Sequence, residues 1–151
     1  MDNDDVIDTL NTLIETCKDG EYGFRTCAEH TKSAQLKQVF SSRAEECQRG
    51  ASELQAAVRR LGGDPDHGSS TTGKLHRGWV NLKGMLTGND DQAALNECER
   101  GEDAALDRYR DAIKKDLPAD IAQLVQRQYE GVKRNHDQIR SLRDQMRSTA
   151  S

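Results

Sequence analysis

Cys17-Lys18-Asp19-Gly20-Glu21 and Cys98-Glu99-Arg100-Gly101-Glu102 are the two stretches whose reading decides the fold. Around the first, Ile14, Cys17, Glu21, Phe24 and Ala28 recur at helical spacing. Around the second, Leu95, Cys98, Glu102, Ala105 and Tyr109 do the same. Each run places a glutamate where an apolar stripe calls for a core residue. A carboxylate taken out of water is costly unless a partner or a metal takes it up. Two of them at matching places point to long helices that face one another across a polar layer.

The pattern extends in both directions. Asp4 or Asp5 can cap a first helix to about His30, with Val6, Leu10, Leu13, Ile14, Cys17, Phe24 and Ala28 inward. A second helix covers about Ala34 to Leu61, with Leu36, Phe40, Arg43, Cys47, Gly50, Leu54, Ala57 and Leu61 inward, and Gly62-Gly63 stops it. Residues 64–90 form a long crossover. Leu75, Trp79, Leu82 and Leu86 give it a short helix from about Gly73. Asn89-Asp90 can cap a third helix to about Lys115. Pro118 starts a fourth, to about Arg147, with Ile121, Leu124, Gln128, Val132, His136, Ile139 and Leu142 inward. Residues 148–151 are expected to fray. Short links make two antiparallel hairpins, and a crossover this long can return along the bundle, as in ferritin-like folds; a plain up-down-up-down bundle is the alternative. The hairpins also align weakly with each other, the first helix with the third at an offset of 81 residues and the second with the fourth at 85.

Counting from the turn near Thr31 to Ser33 sets Glu21 at the height of Arg43. The same counting sets Glu102 opposite Gln128 to Val132. The expected mid-bundle layer is therefore Glu21, Arg43, Glu102 and Gln128, with Cys47 and His136 within about a turn. In di-iron carboxylate bundles two helices each give a Glu and the other two each give Glu-x-x-His. Here Glu46-Cys47-Gln48-Arg49 and Lys133-Arg134-Asn135-His136 each lack one member of that motif. Three readings follow: a buried network that sets helix register, a partial iron or manganese site on Glu21, Glu102 and His136, and a small polar ligand held between the helices.

The whole chain bounds these readings. Its 151 residues suit one domain spanning 1–151. Two prolines and 4% aromatics favour an all-α protein. A net charge of -4, with both signs interspersed, argues against a nucleic-acid partner. No apolar run approaches the ~20 residues of a membrane span, and the acidic start Met1-Asp2-Asn3-Asp4-Asp5 is unlike a signal peptide. Cys17, Cys27, Cys47 and Cys98 form no CxxC pair and read as reduced thiols of a cytoplasmic protein. Gly68-Ser69-Ser70-Thr71-Thr72-Gly73-Lys74-Leu75 resembles a phosphate-binding loop. Leu75 stands where that loop needs a hydroxyl, and no strand precedes it, so no nucleotide site is expected. His76, Arg77 and Trp79 are expected to anchor the crossover on the bundle. No spacing supports a catalytic triad or marks a nucleophile.

Cys17-Lys18-Asp19-Gly20-Glu21-Tyr22-Gly23-Phe24-Arg25, Gly68-Ser69, His76-Arg77-Gly78-Trp79 and Glu99-Arg100-Gly101-Glu102-Asp103 together resemble a bacterial family of ferritin-like proteins, domain of unknown function 2383. The resemblance implies a ferritin-like four-helix bundle, a cytoplasmic bacterial protein and a context of stress response, with no established activity. It carries iron ligation over only to Glu21 and Glu102. The expectation is a non-enzymatic bundle with a buried Glu/Arg/Gln layer in place of a complete di-iron site. The alternatives are iron or manganese binding through Glu21 and Glu102, and a helical interaction module forming a homo-oligomer such as a dimer.

Overall fold

The computed structural model describes residues 2–65 and 91–150. They form four helices: α1 (Asn3–His30), α2 (Ala34–Arg60), α3 (Asp91–Ile113) and α4 (Ala119–Ala150). The fold is the ferritin-like four-helix bundle, and the two hairpins stand where the apolar spacing puts them. The expected short helix, its Asn89-Asp90 cap and the anchor residues His76, Arg77 and Trp79 lie outside the described residues.

Local chemistry sets the boundaries. Asp2, rather than Asp4 or Asp5, caps α1, its side chain accepting from the Asp5 amide at 2.9 Å. Ser33 caps α2 by accepting from the Leu36 amide at 3.2 Å. Losing that cap in Ser33→Ala should cost about 1 kcal/mol, read as a fall of about 2–4 °C in thermal midpoint. At the end of α2, Gly62 turns with φ of 84°, and the Gly63 amide reaches back to the Val58 carbonyl at 2.9 Å. A side chain at position 62 would strain that backbone. α4 starts behind Pro118, whose carbonyl accepts from the Ala122 amide at 2.8 Å. It continues to Ala150, past the expected end at Arg147.

Side-chain pairs give the directions. Cys17 meets Tyr109, Cys27 meets Cys98 and Thr31 meets Asp91, so α1 and α3 run antiparallel. Glu53 meets Arg127 and Glu46 meets Asn135, so α2 and α4 are antiparallel too. α1 is therefore antiparallel to both α2 and α3, and α2 is parallel to α3. α2 ends and α3 begins at opposite ends of a bundle ~40 Å long. This is the crossover topology, not the up-down-up-down alternative.

The core falls into two clusters. One gathers Leu10, Leu13, Leu54, Leu106 and Val125; the other gathers Phe24, Phe40, Leu36, Leu95 and Ile139. The α1–α2 and α3–α4 hairpins and the α1–α3 seam are closely packed, whereas α2 and α4 touch least. Among the described residues, no helix is long and apolar enough to cross a membrane.

Candidate functional site

Arg43 of α2 and Glu102 of α3 occupy the middle of the bundle. Nε and Nη2 of the guanidinium donate to the two carboxylate oxygens at 3.3 and 3.2 Å, a two-pronged contact between side chains only 8% and 2% exposed. The Arg43 guanidinium also lies 5.8 Å from the centre of the Phe24 ring. Burial works against the Arg43 charge, but its acidic neighbours, Glu102 foremost and Glu46 with it, together outweigh burial and hold the guanidinium protonated. Burial pushes the Glu102 carboxyl above its ordinary value, and Arg43 pulls it part of the way back. Neither partner is comfortable there alone.

Beside this pair runs a hydrogen-bonded chain that begins with neutral groups and ends in an ion pair. The Tyr109 hydroxyl donates to Gln128 Oε1 at 2.8 Å and lies 3.3 Å from the Cys17 thiol. Gln128 Nε2 donates to the Gly50 carbonyl at 3.2 Å and to Glu53 at 3.1 Å. Arg127 then closes on Glu53 at 2.6 Å. Burial raises the pKa of Cys17, Cys47 and Tyr109. At neutral pH these groups stay protonated, so neither thiol is poised as a nucleophile. Glu53 behaves in the opposite way. Partial burial raises its pKa, but the hydrogen bonds from Arg127 and Gln128 prevail and lower it.

These groups line a cavity of about 430 Å³ among the four helices. Each helix contributes a glycine to its wall: Gly20, Gly50, Gly101 and Gly131. Gly20 gives its room to a neighbour, since a Cβ there would come within 2.7 Å of Cys47 Sγ. A Cβ on Gly131 would have only Arg134 Nη2 near it, at 3.7 Å. Gly20 and Gly101 are 81 residues apart, as are Gly50 and Gly131. Gly20 and Gly101 correspond in the weak repeat, whereas Gly50 and Gly131 fall four residues out of its alignment of the second helix with the fourth.

Of the expected layer, Arg43, Glu102 and Gln128 reach the cavity, and the pairing differs from that expected. Arg43 holds Glu102 instead of Glu21. Glu21 is 26% exposed and accepts from Arg25 Nε and Nη2 at 3.1 and 2.9 Å, on the outside of α1. The helical turn explains the difference. Glu21 stands about 40° to one side of Cys17, whereas the buried Gly20, Gly23 and Cys27 stand on the other side, which moves the centre of the α1 stripe away from it. In α3 the buried Leu95 and Leu106 lie on the same side as Glu102 and keep it central.

The metal set Glu21, Glu102 and His136 is not brought together. His136 is buried, and its Nε2 lies 2.5 Å from Asp103. Glu99, Asp103 and His136 do converge, their ligand atoms within 4.8 Å of one another. However, Arg143 already sits on Glu99, and Asp103 is 54% exposed. Nor do the mid-bundle donors fit a dinuclear iron centre. Glu102 is held by Arg43, and Glu46 accepts from Asn135 at 2.9 Å and lies 3.6 Å from Arg43. Tyr109 stands on the apolar stripe of α3, but its role and that of Glu53 leave no mark in the spacing.

Three comparisons bear on this geometry. A family model described as a domain of unknown function, DUF2383, matches residues 5–115. None of the curated proteins matches the chain. A two-domain protein from Anabaena variabilis ATCC 29413, containing DJ-1/ThiJ/PfpI-like and ferritin-like domains, has the same fold, with a TM-score of 0.82 at 16% identity. The match covers 97% of this chain and 41% of that one.

Proposed function

The chain belongs to the family of domain of unknown function 2383, and on that premise we propose that it is a non-enzymatic, ferritin-like binding bundle whose Arg43–Glu102 pair, flanked by Gln128, stands in place of a dinuclear iron site. The observation that carries this reading is the guanidinium itself. It is permanently charged, 8% exposed and bonded to both oxygens of Glu102, the carboxylate that a metal would need. A dication brought to about 4 Å from Arg43 would meet a repulsion of about 8 kcal/mol at an effective dielectric of about 20. Protonated thiols and a tyrosine already bonded to Gln128 leave the layer without a poised acid–base or nucleophilic group.

Metal analysis tests the proposal. Protein purified without chelator and then incubated with Fe(II) or Mn(II) should retain no stoichiometric transition metal after desalting. Retention of one or two irons or manganeses per chain, lost in Glu102→Gln, would overturn it.

A further inference from the structure

We propose that the mid-bundle cavity is a binding site for a small organic acid, its apolar body between the helices and its carboxylate at Arg49 and Arg134. The inference rests on the reading above, in which an ion pair and not a metal centre occupies the layer. A cavity of about 430 Å³ falls in the range of small-molecule sites, about 300–1,000 Å³. A glycine within a helix costs about 0.5–1 kcal/mol against alanine, and close neighbours account for it at Gly20 and Gly50. At Gly131 the neighbouring structure leaves room for a side chain, so packing alone does not require the glycine.

The lining selects the ligand class. At the floor, Arg43 is paired with Glu102, and Tyr109 is bonded to Gln128. Ala105, Val132 and the glycines supply apolar wall. A ligand body resting there needs few polar atoms. At the mouth, Glu46 is engaged by Asn135 and Arg43, and Glu53 by Arg127 and Gln128, while the buried Asp19 also lines the cavity. Arg49 of α2 and Arg134 of α4 line the cavity, are exposed, and make no close ion pair with a described residue, the Arg49 charge acting on Glu53 at longer range. Two guanidinium groups lining one cavity suit a carboxylate, which each can grip through two N–H groups. The route in is the α2–α4 seam. It is the least packed contact between neighbouring helices, and side-chain bonds such as Glu53–Arg127 bridge it.

Calorimetric titration with 2-naphthoate, and with the uncharged isostere 2-naphthamide, tests the proposal on the intact chain. The acid should bind one per chain, at least tenfold tighter than the amide. The exposed double variant Arg49→Gln/Arg134→Gln should erase that difference. Gly131→Leu should abolish binding of both probes while the thermal midpoint holds or rises, because the leucine fills the space and favours the helix. Absence of saturable naphthoate binding, equal binding of the amide, or undiminished binding by Gly131→Leu would overturn the proposal. Should Gly131→Leu fail to fold, the arginine variant still decides. Stoichiometric metal would sink the reading of the layer; failure of naphthoate in metal-free protein would sink only this inference.

Discussion

Replacing Arg43 with alanine will destabilise the protein by about 3–5 kcal/mol. The cost comes from what the substitution leaves behind. Glu102 is 2% exposed, and Arg43 bonds both its oxygens. Without the guanidinium the carboxylate must stay charged in a poor environment, take up a proton, or admit water from the cavity. Glu46 adds a second negative charge nearby. The double variant Arg43→Leu/Glu102→Leu removes the charge along with its partner and should recover most of the loss, because two well-packed apolar groups can match a buried ion pair. Urea unfolding of wild type, single and double variants measures both numbers. A loss below about 1 kcal/mol in the single variant would mean that Glu102 reaches solvent once it is freed.

Phe24→Ala should be comparably severe, about 3–5 kcal/mol. Phe24 is fully buried, and its ring lies 6.2 Å from that of Phe40, tilted by 37°. It also forms the surface against which the Arg43 guanidinium rests. Truncation therefore opens a void in one apolar cluster and loosens the ion pair above it. Phe24→Leu keeps most of the volume and should cost less, about 1–2 kcal/mol. If denaturant midpoints place Phe24→Ala no lower than Phe24→Leu, the ring is not supporting the layer.

Helices were the easily read part of this chain, and the reason is redundancy. Val6, Leu10, Leu13, Ile14 and Cys17 repeat one message several times, and all are buried. Heights along the bundle were readable only to within about two turns: Glu102 stands level with His136, whose ring meets the adjacent Asp103, while Gln128, expected opposite Glu102, stands level with Tyr109. Partner choice was not. Counting from the hairpin turn gives the level of Arg43 but not which neighbouring helix its side chain crosses to, and the arginine goes to α3 instead of α1. Glu21 shows a second limit. Spacing places a residue on the apolar stripe without separating its centre from its edge, and Glu21 is at the edge, within reach of Arg25 at i+4. The cavity was hidden for a different reason. It is made by side chains that are missing, and an absence has no periodicity. The equal separation of Gly20 from Gly101 and of Gly50 from Gly131 is a trace of it, but one that the helical spacing argument does not use.

The two apolar clusters make this bundle a pair of separate oil drops threaded by the same four rods. The waist between them is held by charge and hydrogen bonding, whose strength depends on direction. Sliding one rod past another by a single turn could re-bury much of the greasy surface at little loss, but it would pull the guanidinium off its carboxylate. The waist thus fixes register, and the drops supply cohesion. The same division lets the waist carry a vacant space without draining either drop.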